Sequence, residues 1–401
     1  MSTSPPRRGE PLRRVLIVGA SLAAVHAIEA LRQHGYEGEI ALVGAEPHLA
    51  YDRPPLSKEA LRAGPDLAAL LLKEPAWYTA QSVDLHLGRP AVALDTLRRE
   101  VTVECGLSLA YDGLVIASGS TARAVGDGNR PFRVLRSVAD AADLHARLVP
   151  GRHLVVIGAG FVGLEVAATA REMGLDVSVV ELAPAPLARV LGDEAGAWFT
   201  HHHAGNGVDL HFGTSLEYIE TGPRGTTLRL RDGTVLQADL VVGGIGATPA
   251  TDWLAGSGVR LSDGVVCDPS LATSVPGVVA AGDVARWYNA LFDESMRIEQ
   301  WSNAVQQGRR AALTLLGCTD PFAPVPYLWS DQFDAKMRFV GRANAAQDVR
   351  TIQLGDASMV TLFGRDGVLR GALCVNAPRQ LARYRQAIRD RVAWCDALTP
   401  A

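Results

Sequence analysis

The chain has 401 residues, 48% hydrophobic and 20% charged, with a formal net charge of −4. That composition suits a globular protein with room for two or three domains. The slightly acidic balance excludes a nucleic-acid binder held by bulk electrostatics, and no apolar run is long enough to cross a bilayer. The five cysteines, Cys105, Cys267, Cys318, Cys374 and Cys395, include no CxxC-like pair. This argues against a disulfide framework, a zinc ribbon or a dithiol redox centre, and suits reduced thiols in a cytoplasm.

In chain order, the basic start MSTSPPRRGEPLRR has no apolar signal-peptide core and no cleavage site, and it is expected to be a disordered leader. RRVLIVGASLAAVHAIEALRQHGYEGEIALVGAE then reads as strand, turn, helix and strand, the first strand continuously apolar as when both sheet faces are covered. RHLVVIGAGFVGLEVAATAREMGLDVSVVELAP repeats the plan, with strand HLVVIG, helix FVGLEVAATAREMG and strand DVSVVE. Two such units predict two dinucleotide sites. The intervening segments read as short antiparallel strands with turns at RDGTV and SDGVV. After Pro326, MRFVGRA and ASMVTLFGRDGVLRGALCVN read as strands and PRQLARYRQAIRDRVAW as a helix, a separate α+β module.

The two glycine loops differ. In such a loop the first glycine makes the strand-to-helix turn, the second lets the backbone approach a pyrophosphate, and the third lets the helix pack on the strand. The helix N-terminus adds amide donors and a positive dipole end. The second loop, GAGFVGLE at 158–165, keeps Gly158, Gly160 and Gly163. The first, GASLAAVH at 19–26, keeps Gly19 but has Ser21 and Ala24 at the other positions, the smallest replacements, with the Ser21 hydroxyl as an extra donor. An acid ends the following strand in each unit, Glu46 and Glu181, placed to accept from a ribose hydroxyl. A carboxylate there repels a 2′-phosphate, so Glu181 predicts NADH rather than NADPH. The alternative for either loop is a glycine turn in any α/β sheet.

YDRPPLSK (51–58), ASGS (117–120), GIGATP (244–249), AAGDVA (280–285), RIEQWSNAVQQG (297–308) and YLWSDQ (327–332) follow one another over nearly the full chain. This set resembles the FAD-dependent ferredoxin reductases that feed oxygenases. The resemblance implies a glutathione-reductase-like α/β fold, with two Rossmann-like dinucleotide-binding domains and a C-terminal α+β domain. The implied domains are a discontinuous FAD domain at 1–117 and 244–326, an NAD domain at 118–243 and a C-terminal domain at 327–401. The first loop is similar to the family's FAD loop, where serine at the second glycine position is familiar, and the second to its NADH loop.

By the same resemblance, Gly19, Ser21, Leu22 and Ala23 cradle the FAD pyrophosphate and Glu46 holds its ribose. Arg53 and Lys58 neutralise the pyrophosphate and approach the flavin ring, as a diphosphate needs cations and a reduced anionic flavin is stabilised by an ammonium. Ala91 offers backbone to adenine, and Ala117, Ser118, Gly119, Arg123, Gly246 and Gln300 belong to the cofactor sites. Gly282 gives close approach and Asp283 accepts from a ribityl hydroxyl. Trp301 and Trp329 flank the isoalloxazine. Val162, Glu165 and Arg189 join the NADH loop, with Glu165 near the nicotinamide. Lys58, Glu165 and Trp301 are the candidate catalytic residues. Competing readings are a solvated Arg53/Lys58 pair on a proline-rich loop, Asp283 as a helix N-cap, tryptophans as core, and Glu165 as an exposed helix acid. Ser118 in place of the usual threonine, Gln300 where many members carry histidine, Ala24, and a short C-terminal module depart from the family pattern.

The implied reaction passes hydride from NADH to FAD and then single electrons to a two-iron two-sulfur ferredoxin. Arg309, Arg310, Arg338, Arg342, Arg379, Arg383 and Arg385 are candidates for docking an acidic ferredoxin, against the alternative of a solvated helix face. No metal, nucleic-acid or membrane site is expected, and the chain is read as a cytoplasmic monomer or homodimer. HHHAGNGVD, with His201 to His203, reads as a solvated helix end rather than a metal site, because consecutive helical residues point in different directions. An NADH oxidase or peroxidase-like flavoprotein, and an apoptosis-inducing-factor-like protein acting through partners, remain the alternatives.

Overall fold

The computed structural model describes residues 12–398 except 124–131, 224, 345 and 356, and not the side chains of Arg189 and Asp193. Most of the N-terminal leader therefore lies outside the described residues. The chain forms two compact units. One comprises Met1–Asp52, Ala68–Thr121 and Thr248–Pro324, the other Arg53–Leu67, Ala122–Ala247 and Val325–Ala401.

The first unit is built on a five-stranded sheet in the order Val278–Ala280, Gly113–Ile116, Arg14–Val18, Glu39–Val43, Val83–His86. All four pairings are parallel. Val15, Leu16 and Ile17 have no exposed surface, which accounts for the unbroken apolar run in that strand. The helix Leu22–Gln33 buries Leu22, Ala23, Ala24, Val25, Ala27, Ile28, Ala30 and Leu31. Its alanines let the helix Trp301–Leu315 come close: a Cβ on Gly308 would fall 2.2 Å from the Ala23 carbonyl oxygen. An antiparallel meander, Ala91–Asp95, Glu100–Val103 and Ser108–Ala110, completes this part. SDGVV leads into the strand Val265–Cys267, which pairs parallel with Ala285–Asn289 and has only a single antiparallel bridge back to Leu261. The expectation of a short antiparallel strand after SDGVV is corrected there, because Gly264 lies against the Val284 carbonyl of the later segment, beside which the strand runs parallel.

The second unit holds a four-stranded parallel sheet in the order Val208–Phe212, Asp176–Glu181, His153–Ile157, Leu240–Gly243. The helix Phe161–Glu172 connects its first two strands in sequence. The predicted turn at RDGTV joins the antiparallel strands Gly225–Leu230 and Val235–Ala238. The helix Ala188–Gly205 bends at Gly192, whose φ is +75°. The C-terminal residues form an antiparallel sheet in the order Tyr327–Gln332, Ala335–Gly341, Val368–Val375, Ser358–Arg365, Asp348–Gly355, with the helix Pro378–Arg389 against two of its strands. That helix stops short of the expected Trp394, because Arg391 takes a left-handed φ of +53°.

This division differs from the three-part reading of the sequence. Leu61 lies in one hydrophobic core with Leu154, Val156, Leu164 and Val179, so Arg53–Leu67 packs with the parallel sheet of the second unit. Met337, Phe339, Phe363 and Leu373 join the same core. The C-terminal sheet thus shares a hydrophobic core with the parallel sheet of the second unit.

Candidate functional site: two glycine loops and a buried carboxylate

In the first unit, Gly19 has a φ of +114°, and a Cβ there would lie 2.0 Å from the Ala117 carbonyl oxygen. Its N–H donates to the Val43 carbonyl at 2.8 Å, pinning the turn between the first two strands. Only glycine fits such a position. Ser21 is the N-cap of the helix that starts with Leu22 and Ala23, and its hydroxyl caps no helix amide. The helix N-terminus therefore keeps its amide donors for an anion. Glu46, three residues past the second strand's last residue Val43, accepts a hydrogen bond from the Tyr51 hydroxyl at 2.6 Å. Ala91 pairs in register with Val103.

Far away in sequence but adjacent in space, the Ala117–Gly119 segment crosses Gly19. Ser118 Oγ donates to the Ala250 carbonyl at 2.8 Å, and Gly119 turns with a φ of +70°. Gly282, with a φ of +79°, donates its N–H to Gln307 Oε1 at 2.8 Å. Asp283 accepts the Ser120 hydroxyl at 3.0 Å. It sits inside the short turn Gly282–Val284, whose N-cap is Ala281, so the reading of Asp283 as a helix N-cap is corrected. Trp301 opens its helix with the indole Nε1 donating to Asp52 Oδ1 at 2.8 Å, and 37% of its surface is exposed, so it is not core. Gln300 is that helix's N-cap residue, and its Oε1 is buried with no hydrogen-bond partner among the described residues.

In the second unit the first and third glycines make the tight turn and the close helix packing that the spacing predicts. Gly158 has a φ of +102°, and a Cβ there would meet the Gly244 carbonyl oxygen at 2.5 Å. Gly160 is the N-cap of the helix Phe161–Glu172, and a Cβ on Gly163 would lie 2.2 Å from the Gly158 oxygen. Val162 leaves 46% of its surface exposed in the first turn of that helix. Glu181 is buried, with Oε2 accepting the Ala159 N–H at 2.8 Å and Oε1 the Ala183 N–H at 2.9 Å. It fixes the shape of the loop. Gly246, with a φ of +97°, accepts the Arg123 N–H at 3.1 Å, and the Arg123 side chain is exposed. The Arg189 side chain lies outside the described residues.

The proline-rich turn brings cations into the same unit. Arg53 Nη1 donates to the Arg136 carbonyl at 2.5 Å. Lys58 Nζ lies 2.8 Å from Glu165 Oε2, with the two side chains 12% and 8% exposed. Ser57 Oγ also donates to Glu165 Oε2, at 2.5 Å, and Ser330 Oγ to Oε1 at 2.6 Å. The readings of Lys58 as solvated and of Glu165 as an exposed helix acid are therefore corrected. A carboxylate this deep stays charged only when a cation and hydrogen-bond donors replace its water. Trp329 stacks on Tyr327 with centroids 6.0 Å apart and planes 22° off parallel.

Several site residues had no local signal. Ser57, Ser330 and Gln332 lie within motifs already singled out, but their partners are set by the fold. His203 has no exposed surface, because the helix end carrying it packs beside Gln332 and Phe333. The solvated reading of His201–His203 holds for His201 alone, which is exposed. Among the described residues no three metal-ligating side chains are grouped. The docking arginines fall in both units, Arg309 and Arg310 in the first and the other five in the second. Arg309 and Arg379 are exposed, whereas Arg338 is half-buried and paired with Asp331 at 2.8 Å.

A family model described as pyridine nucleotide-disulphide oxidoreductase matches residues 13–308, and one described as reductase C-terminal matches 327–398. The chain is 37% identical over 380 residues to the ferredoxin–NAD(+) reductase component of the anthranilate 1,2-dioxygenase system of Burkholderia cepacia, covering 93% of each chain. It is 35% identical to putidaredoxin reductase CamA of Pseudomonas putida, covering 94% of this chain and 92% of that one. Among solved structures, the covalent putidaredoxin reductase–putidaredoxin complex matches with a TM-score of 0.91 at 32% identity, covering 95% of this chain and 94% of that one. The chain therefore belongs to the pyridine nucleotide-disulphide oxidoreductase family, among the ferredoxin–NAD(+) reductases of oxygenase systems.

Proposed function

We propose that this protein is a cytoplasmic FAD-dependent oxidoreductase that takes hydride from NADH and delivers single electrons to a two-iron two-sulfur ferredoxin serving an oxygenase. The observation that carries this reading is a pair of strand–glycine–helix loops, one in each unit, each closed to any side chain at its first glycine. In this reading the discontinuous segment 1–117 and 244–326 binds FAD, 118–243 binds NADH, and 327–401 completes the reductase. The first loop fits a pyrophosphate by the Gly19 cradle and the uncapped helix N-terminus. When bound, FAD supplies the acceptor for a hydride and the donor of single electrons.

The rest is done by the protein's own side chains. Gly19, Ser21, Leu22 and Ala23 present amides to the diphosphate, and Arg53 adds a cation. Glu46 and Glu181 hold ribose hydroxyls, and Asp283 holds a ribityl hydroxyl. Lys58, held in place by its ion pair with Glu165, presents its ammonium to the flavin ring, and Trp301 and Trp329 exclude water there. None of the five cysteines falls in the first loop or the Arg53–Lys58 turn, where an oxidase or disulfide reductase of this fold would carry its thiol, and this favours the ferredoxin-reductase reading. The test mixes the purified protein with a panel of two-iron ferredoxins, cytochrome c and either NADH or NADPH. Cytochrome reduction should require both NADH and a ferredoxin. Equal reduction without a ferredoxin would overturn the reading.

A further inference from the structure

We infer that Ser330, Gln332 and His203 form a buried hydrogen-bond relay that orients Glu165, and through it Lys58, with the charge on Glu165 dictating where every proton along the relay sits. The distances run in one line. Ser330 Oγ is 2.6 Å from Glu165 Oε1, Gln332 Nε2 is 3.0 Å from Ser330 Oγ, and His203 Nε2 is 2.8 Å from Gln332 Oε1. Glu165, Ser330, Gln332 and His203 are 7%, 0%, 1% and 0% exposed.

An alternating strand explains how one short motif does this. In Tyr327–Gln332 the side chains of Leu328, Ser330 and Gln332 are buried, while those of Tyr327, Trp329 and Asp331 are on the other, half-buried face. Ser330 and Gln332 thus share the face that meets Glu165 and His203.

The proton assignment follows from chemistry. Beside Lys58 and Ser57, Glu165 is an ionised carboxylate, which can only accept. The single Ser330 hydroxyl proton therefore goes to Glu165. Ser330 Oγ can then only accept from Gln332, so the amide NH2 faces the serine and the amide oxygen faces His203. The imidazole must donate from Nε2, leaving Nδ1 bare. Nδ1 is indeed buried with no partner among the described residues, and Phe333 packs edge-on against the ring at 5.2 Å. A second proton would have no acceptor there, and burial accordingly pushes His203 down to about 4.

The three residues touch neither nucleotide in this account; they are positioning residues, and the value of holding Lys58 rests on the function proposed above. The test is nitrogen NMR of the flavin-loaded protein labelled at histidine, with His203 assigned by its loss in His203→Gln. His203 should be the neutral Nε2–H tautomer at pH 7. Glu165→Gln, which can donate to Ser330 and let the chain reverse, should shift the tautomer ratio toward Nδ1–H by roughly tenfold. A doubly protonated or Nδ1–H ring in the parent, or an unchanged ratio in Glu165→Gln, would overturn the relay. In parallel, Ser330→Ala should change the midpoint potential of the bound flavin and Ser330→Thr should restore it. An unchanged potential in Ser330→Ala would equally count against positioning, and if that variant does not fold the NMR comparison decides alone. A protein that shows the expected tautomer yet takes up no flavin would instead refute the functional reading and leave the relay standing.

Discussion

Replacing Lys58 by methionine removes one member of a pair whose side chains are 12% and 8% exposed and 2.8 Å apart. Breaking a buried ion pair from one side costs about 3–5 kcal/mol, since the remaining charge has lost its counter-ion. Ser57 and Ser330 still donate to Glu165, so the lower end, about 3 kcal/mol, is expected for Lys58→Met. Glu165→Gln strands the ammonium, whose other acceptor is the Pro54 carbonyl at 3.3 Å, and about 3 kcal/mol is expected again. The double variant buries no charge and retains a side chain that meets both serine hydroxyls. Its cost should be about 3 kcal/mol in total rather than the sum of about 6, a coupling of roughly 3 kcal/mol. Urea unfolding at a fixed excess of FAD, followed by circular dichroism, measures the cycle. If the two single costs add to the double within about 0.5 kcal/mol, the side chains are not a coupled buried pair and the reasoning fails.

Gly19→Val should purify without flavin colour, because its Cβ would overlap the Ala117 carbonyl; a yellow variant with full flavin content would refute the cradle. Glu181→Gln should narrow the NADH-over-NADPH preference in kcat/KM by at least about tenfold, by removing a repulsive charge and a charge-assisted hydrogen bond; an unchanged ratio would show that Glu181 does not read the ribose. Burial pushes the Cys267 and Cys374 thiols up to about 12, so at pH 8 a disulfide reagent should label exposed Cys105 and Cys395 and spare these two until the chain unfolds. His203 is held below its ordinary value of 6.5, at about 4, mainly by desolvation, with the Gln332 hydrogen bond opposing and His202 adding to it. Its unfolded form therefore takes up a proton first, and stability present above pH 6.5 should fall by up to about 3 kcal/mol as the pH drops toward 4. His203→Gln should flatten that decline, and a decline of equal slope in the variant would assign it elsewhere.

Both glycine turns were legible in the sequence, because a turn glycine, a helix and the next strand are consecutive and their geometry is local; Glu181 ends its strand as read, whereas Glu46 falls three residues past Val43. The parallel arrangement of the strands around them followed from the same units. What was hidden depends on partners far apart in the chain. Ser57 and Ser330 reach Glu165 across 108 and 165 residues, and Trp301 reaches Asp52 across 249. Arg53–Leu67 joins the second unit because Leu61 fills its core, and nothing in the local pattern marks that change of company. His203 was misread for a related reason. Polarity within HHHAGN suggests solvent, but burial is decided by Phe333 and Gln332, which come from the far end of the chain.

The central claim is a hydride path from NADH through bound flavin to an iron–sulfur protein. Its most direct test is an anaerobic titration of the purified yellow protein with NADH, followed by an oxidised two-iron ferredoxin. One equivalent of NADH should bleach the flavin band, and about two equivalents of ferredoxin should restore it, since hydride carries two electrons and each ferredoxin takes one. Flavin that NADH leaves unbleached, or that stays reduced when ferredoxin is added and recovers only on admission of oxygen, would contradict the account.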